Sequence, residues 1–292
     1  MKHRFLALIL SMLALFSLSG CRGKKSTADV LNESTNKQKM VVVVVDKDSK
    51  AAIKDAKVNI IGDDTVYTTD EMGKTPEVLV DLNKGFFLKY SDEVTSRVNC
   101  GFINIAVAKQ GYGKHMEVDS SIYPGDSTSL VRIELTKNKD YTYNVNAPDI
   151  NYIEALLNAY EKFIGEGLKT NNMAKAKITV TDEMNRPVEG AKIVIPESKV
   201  SVKTNKSGTA EVSIPYDNNS INMPVKKVYG EITVLIYKDK YAPKAVIKKH
   251  ISVNKPNNIS IKLKNSSKCK CDYEVVKPDE KWMRDTINFY KQ

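Results

Sequence analysis

The chain has 292 residues and a net charge of +10, from 45 lysines and arginines against 35 aspartates and glutamates. The basic residues are scattered, in doublets such as Lys226-Lys227 and Lys248-Lys249, whereas nucleic-acid readers gather such charge on one face. Nucleic acid is therefore not the expected partner, and past the first residues no apolar stretch reaches the roughly 20 residues a transmembrane helix needs.

Met1-Lys2-His3-Arg4 is a short basic start, followed by an apolar run from Phe5 to Leu18 and then Leu18-Ser19-Gly20-Cys21. A basic start, a short apolar core and small residues before a cut site describe a secretory leader. Leu18-Ser19-Gly20-Cys21 resembles the lipobox of bacterial lipoproteins. That resemblance implies removal of residues 1–20 and a diacylglyceryl and palmitate-type anchor on Cys21, placing the chain on the extracytoplasmic face of a cell membrane. Two or more acyl chains matter because a single one holds only marginally. Residues 21–39 are polar and read as a flexible tether.

A repeat organises the rest. Val43 to Gly73 aligns without gaps with Ile178 to Gly208, placing Val45 on Val180, Ile53 on Val188, Ala56 on Ala191 and Thr69 on Thr204. Further on, Ile103 to Val107 matches Ile232 to Ile236, Tyr112 matches Tyr241, and Arg132 to Leu135 matches Ser260 to Leu263. Within each copy apolar residues alternate, as in Ile178-Thr179-Val180 and Ile259-Ser260-Ile261, which predicts half-buried strands. Asn185-Arg186-Pro187, Lys206-Ser207-Gly208 and Asp217-Asn218-Asn219 supply the turns. Short strands with regular turns predict a sandwich over 40–137 and another over 174–265. The buried faces of the second are expected at Ile178, Val180, Ile193, Ile195, Ile232, Val234, Ile236, Ile261 and Leu263.

The second copy carries Val180-Thr181-Asp182, then Pro187-Val188-Glu189-Gly190-Ala191 and Thr204-Asn205-Lys206-Ser207-Gly208. These residues resemble the carboxypeptidase regulatory-like domains, which are transthyretin-like sandwiches. The first copy shares Ile53-Lys54-Asp55-Ala56 and Thr69-Asp70-Glu71-Met72-Gly73 but has Ala52 for the proline. The resemblance implies an all-β fold of two seven-stranded Ig/transthyretin-like sandwiches, with binding or spacing roles and no peptidase activity. The related collagen-adhesin B-type repeat implies a cross-linking lysine two residues before the aspartate, where this chain has Val44 and Val180.

Between the copies, the stretch 138–173 is read as a linker with a helix from Asp149 to Leu168, apolar at Ile153, Leu156, Leu157, Tyr160, Ile164 and Leu168. Pro148-Asp149 starts it, and Gly165 or Gly167 ends it. The tail, 266–292, holds Cys269-Lys270-Cys271 and a short helix with Trp282, Met283, Thr286, Ile287 and Tyr290 on one side.

No catalytic residue stands out. His115, in a polar loop, and His250, in an alternating strand, lie far apart and outside metal-ligand spacing, and no nucleophile elbow or phosphate-cradling loop is present. Asp46, Asp48, Asp63, Asp64, Asp70 and Glu71 are loop carboxylates that calcium could use if the loops converged, but turn chemistry explains them without metal. No cofactor or metal is expected. With Cys21 lipidated, Cys100, Cys269 and Cys271 remain, an odd number. A bridge from Cys100 to Cys269 or Cys271 is the expected pairing, with three free thiols or a three-sulfur metal site as the other readings.

The expectation is a non-catalytic, membrane-anchored surface module, structural or ligand-binding, whose partners are the membrane through its lipid and an envelope protein or carbohydrate. An accessory subunit of an envelope transport or wall-synthesis complex is the alternative, and a hydrolase on a sandwich scaffold is the third reading.

Overall fold

Two runs of eight strands follow one another, each closed by a helix, in a computed structural model that describes residues 37–81, 101–122, 127–167, 173–215, 225, 227, 229–252, 255–267 and 269–290. The first run is β1 (Lys37–Asp46), β2 (Lys57–Ile60), β3 (Val66–Thr68), β4 (Val78–Asp81), β5 (Gly101–Ala108), β6 (Lys114–Ile122), β7 (Ser129–Leu135) and β8 (Tyr141–Val145), then α1 (Ile150–Tyr160). The second is β9 (Met173–Thr181), β10 (Lys192–Ile195), β11 (Val200–Lys203), β12 (Thr209–Pro215), β13 (Gly230–Tyr237), β14 (Lys244–Ile251), β15 (Asn257–Lys262) and β16 (Asp272–Val275), then α2 (Glu280–Phe289).

Each repeat is a sandwich of a three-stranded and a five-stranded sheet. The orders are β4-β1-β7 and β3-β2-β5-β6-β8 in the first, β12-β9-β15 and β11-β10-β13-β14-β16 in the second. In both, the first and seventh strands run parallel, as do the sixth and eighth. Alternation supplies the inner faces. Val42, Val44, Ile105, Val107 and Ile133 fill one core; all nine residues expected to be buried in the second repeat, from Ile178 to Leu263, fill the other.

The eighth strand of each repeat is one more than the seven expected among the described residues. β8 falls in the stretch read as linker and β16 in the tail, yet each pairs along an edge of its own five-stranded sheet. The alignment also slips by one residue at its start. Val44 and Val180, rather than Val45 and Val180, are equivalent, because each amide donates to the glycine carbonyl of the same turn, Gly73 at 2.7 Å and Gly208 at 2.8 Å. The first turn of repeat one is a residue longer: the Asp46 amide donates to Ala51, that of Asp182 to Arg186.

Local chemistry is copied between the repeats. The Thr69 hydroxyl donates to Ile53 at 2.7 Å and accepts from the Ala56 amide at 2.8 Å; Thr204 donates to Val188 at 2.6 Å and accepts from Ala191 at 2.8 Å. Gly73 (φ +71°) and Gly208 (φ +69°) sit left-handed, and a Cβ there would fall 2.4 Å from the Val44 oxygen and 2.5 Å from the Val180 oxygen. Both β5–β6 and β13–β14 break register at a bulge, between Ile103 and Ile105 and between Ile232 and Val234.

The helices begin as expected. Asp149 caps α1 by accepting from the Asn151 amide, and Asp279 caps α2 by accepting from Trp282. α1 ends at Tyr160, earlier than the apolar spacing suggested, and Ile164 is exposed beyond it. Pro148-Asp149 and Pro278-Asp279 mark equivalent starts, so the helix is part of the repeat. Gln38 to Gln292 forms one compact body, and no described helix is long and apolar enough to cross a membrane.

Candidate functional site

The apolar faces of the two helices decide how the repeats meet. α1 follows repeat one, yet its Ile153, Leu156 and Leu157 cluster with Val194, Leu235, Ala245 and Ile247, on the outer face of repeat two's five-stranded sheet. α2 follows repeat two, yet its Trp282, Met283 and Ile287 cluster with Ile61, Met116 and Val118 of repeat one. The helices are exchanged. Each buried side chain of this kind contributes roughly 1.5–3 kcal/mol, so each helix has several large apolar groups holding the opposite sandwich.

Polar contacts fix both helices in place. For α1, the Tyr237 hydroxyl donates to the Leu157 carbonyl at 2.8 Å, and Lys270 pairs with Glu154 at 2.7 Å. For α2, the Trp282 indole donates to the Val225 carbonyl at 2.9 Å, with the Lys227 ammonium 4.5 Å above the ring. Tyr143 donates to Glu280 at 3.0 Å, and Arg284 lies 4.7 Å over the Tyr141 ring.

Where the repeats touch, the two bulges face each other. Asp119 (φ +61°) and Lys248 (φ +59°) hold equivalent bulge positions and form an ion pair, with side chains 4% and 11% exposed. Beside them, Lys227 pairs with Glu231 at 2.6 Å, and the His250 ring stacks on Tyr229 at 4.0 Å. Burial holds the His250 imidazole below its ordinary range, with Glu231 opposing that effect. Opposite charge at equivalent bulges has no signature in either copy taken alone; it emerges only when both are aligned and then brought face to face.

The strongest chemical constellation is in repeat one. His115 lies buried in β6, a correction to its expected place in a polar loop. It stands opposite Val107, and Glu117 opposite Ile105, so both share the core-facing side. The His115 Nδ1 is 2.9 Å from the Thr142 hydroxyl, and its Nε2 is 3.0 Å from Glu117. The other Glu117 oxygen accepts from Asn144 at 2.7 Å and Asn146 at 2.5 Å. A hydroxyl, an imidazole and a carboxylate in a row can pass a proton. The register argues for structure instead: the counterparts of His115 and Thr142 are Lys244 and Asp272, an ion pair at 2.9 Å completed by Lys264 at 2.8 Å. In both repeats these groups fasten the eighth strand to the sixth. Alternation at Thr142, Asn144 and Asn146 carried the signal, hidden inside the assumed linker.

The loop carboxylates are engaged in turns. Asp46 accepts from the amides of Asp48 and Ser49, from Tyr112 and from Lys137. Asp63 accepts from the Thr65 amide and Tyr67, Asp70 from the Met72 and Lys74 amides, and Glu71 pairs with Lys54. Among the described residues, no three His, Cys, Asp or Glu side chains gather to hold a metal ion. Cys269 and Cys271 are half-buried free thiols, and burial raises the Cys271 thiol as it packs toward the α1 cluster. Cys21 and Cys100 lie outside the described residues, so the lipid site and the expected Cys100 bridge do too.

No family model and no curated protein matches the chain. Among solved structures it is similar to the TIE protein of Bacillus anthracis, at 15% identity over 78% of this chain and 34% of that one, TM-score 0.24. It is similar to a streptococcal ancillary pilin at 12% identity over 79% of this chain and 63% of that one, TM-score 0.22. The minor pilin GBS52 of Streptococcus agalactiae matches at 8% identity over 83% of this chain and 98% of that one, TM-score 0.23. The chain thus spans about a third of the first protein and less than two thirds of the second. At these identities and scores the likeness assigns no activity or partner to this chain.

Proposed function

We propose that the chain is a non-catalytic, lipid-anchored module that holds a rigid pair of sandwiches on the extracytoplasmic face of a membrane. The reciprocal exchange of α1 and α2 carries this reading. Two sandwiches that each cover the other's sheet cannot hinge at a linker without baring both apolar faces. Such a body suits spacing and presentation better than closure on a substrate. The Leu18-Ser19-Gly20-Cys21 box supports the anchor, and the polar composition of the run that follows Cys21 supports a tether. The surface presented would meet an envelope protein or carbohydrate, an accessory role in an envelope complex included.

Two measurements test this. Metabolic labelling with a fatty acid should mark the wild type and not Cys21→Ser, which should leave the membrane fraction or persist uncut; equal membrane retention of a cleaved, unlabelled Cys21→Ser protein overturns the anchor. Spin labels on exposed sites of the two repeats should give one narrow distance distribution, and a broad one overturns the rigid module.

A further inference from the structure

Among the described residues, one sheet edge is covered by the chain and its counterpart has no strand beside it. After α1, the segment from Phe163 to Gly167 runs along the outer edge of β11: the Gly167 amide donates to the Lys199 carbonyl at 2.9 Å, the Ser201 amide to the Gly165 carbonyl at 2.9 Å, and Glu166 bridges Val200. Gly165 is required there, because a Cβ would sit 2.3 Å from the Lys199 oxygen. Val200, under this segment, is 7% exposed.

In repeat one the matching strand is β3. The registers Lys57–Thr68 and Lys192–Lys203 make Val66 the counterpart of Ser201; the turns before them differ, Lys199 being left-handed (φ +50°) and Gly62 (φ +96°) taking that role in repeat one. β3 is the last strand of its sheet among the described residues; Thr65, matching buried Val200, is exposed, and Val66 is 54% exposed. α2 delivers its end to this same corner, where Tyr290 packs against the cluster containing Ile61. An open edge with unpaired backbone groups is a template for another strand.

We propose that the outer edge of β3 is a docking site for an extended peptide of another chain, added as a sixth strand. The segment lying on β11 supplies the template for its chemistry: an aromatic and an aliphatic residue, then two glycines one residue apart that let the backbones approach closely. Exposed Asp64, with Asp63 beside it, favours a basic residue where the internal segment has Glu166. Backbone bonds give the affinity, and glycine and charge give the selection.

The probe is the peptide Phe-Ile-Gly-Lys-Gly-Leu, added to the isotope-labelled full chain. Saturable amide shifts at Val66, Tyr67 and Thr68 are expected. Replacing the first glycine by alanine should abolish them, and N-methylating the second should weaken binding about tenfold, as loss of one backbone bond predicts. These changes lie in the peptide, so the fold of the protein is not at stake. Three outcomes overturn the proposal: no shifts at β3, shifts at β11 through displacement of the internal segment, or β3 shifts that grow with protein concentration alone, which would assign the edge to a second copy.

Discussion

Asp119 and Lys248 stand 129 residues apart at the same bulge of two copied sandwiches, and each is the other's ion-pair partner. A pair this buried is costly to break from one side, because the survivor is left charged and unpaired. Asp119→Ala should therefore lower the stability of the whole body by about 3 kcal/mol in urea unfolding. Asp119→Asn tolerates the same positive φ and should cost less, about 1–2 kcal/mol, separating loss of charge from backbone strain. A neutral Asp119→Ala would mean that the helices alone hold the repeats together.

The exchanged helices make the halves interdependent. A fragment covering 174–265 has the strands for a sandwich but leaves Val194, Leu235, Ala245 and Ile247 bare without α1. It should aggregate or melt without cooperativity, whereas fragments 37–167 and 173–292, mixed, should form a one-to-one complex by light scattering. Trp282, the single tryptophan, reports on this: its emission should shift to the blue as the halves combine. Two stable, monomeric, non-interacting halves would contradict the exchange.

Acid should unfold the protein through its turn aspartates. The Ser49 amide, Lys137 and Tyr112 hold Asp46 far below the usual carboxylate range, and at Asp272 the lysines Lys244 and Lys264 outweigh the upward push of burial. A depressed carboxyl contributes stability above its unfolded value, near 4, and loses it as pH falls through the folded value. His250, lowered by burial, adds a shallower loss beginning near pH 6.5. The urea midpoint should decline gently below about pH 6.5 and steeply below about pH 4. Asp46→Asn should be weaker than wild type at pH 7, with the gap narrowing progressively below about pH 4; a constant gap would remove the linkage from Asp46.

The paired turns make an internal control. Gly73→Ala and Gly208→Ala should each cost at least about 1 kcal/mol, from the positive φ and the approach of the added Cβ to a carbonyl. Differential scanning calorimetry should show one transition, shifted in both variants, because the repeats melt together. Separate transitions would contradict that coupling.

Strands were legible where one face is buried, since alternation records burial directly; Ile178, Val180, Ile193 and Ile261 needed only their period. β8 and β16 lie past the ends of the two expected sandwiches, at 137 and 265, although Tyr141, Tyr143 and Val145 also alternate and the helices behind them share Pro148-Asp149 and Pro278-Asp279. The destination of each helix could not be read at all. An amphipathic face states that it must be covered, not by which sheet, and Ala245 and Met116 are equally acceptable to it. His115 was misplaced for a similar reason: a histidine between Lys114 and Met116 looks solvated until Thr142 is known to run alongside.

The exchange also sets an order of synthesis. Repeat one is made first, but the cover for its outer sheet face lies in residues 280–289, which leave the ribosome only after all of repeat two. Repeat two emerges with α1 already behind it. The sandwich made second is thus the first that can be finished, and the one made first must wait, with Met116 and Val118 unclad, until α2 has followed the whole of repeat two.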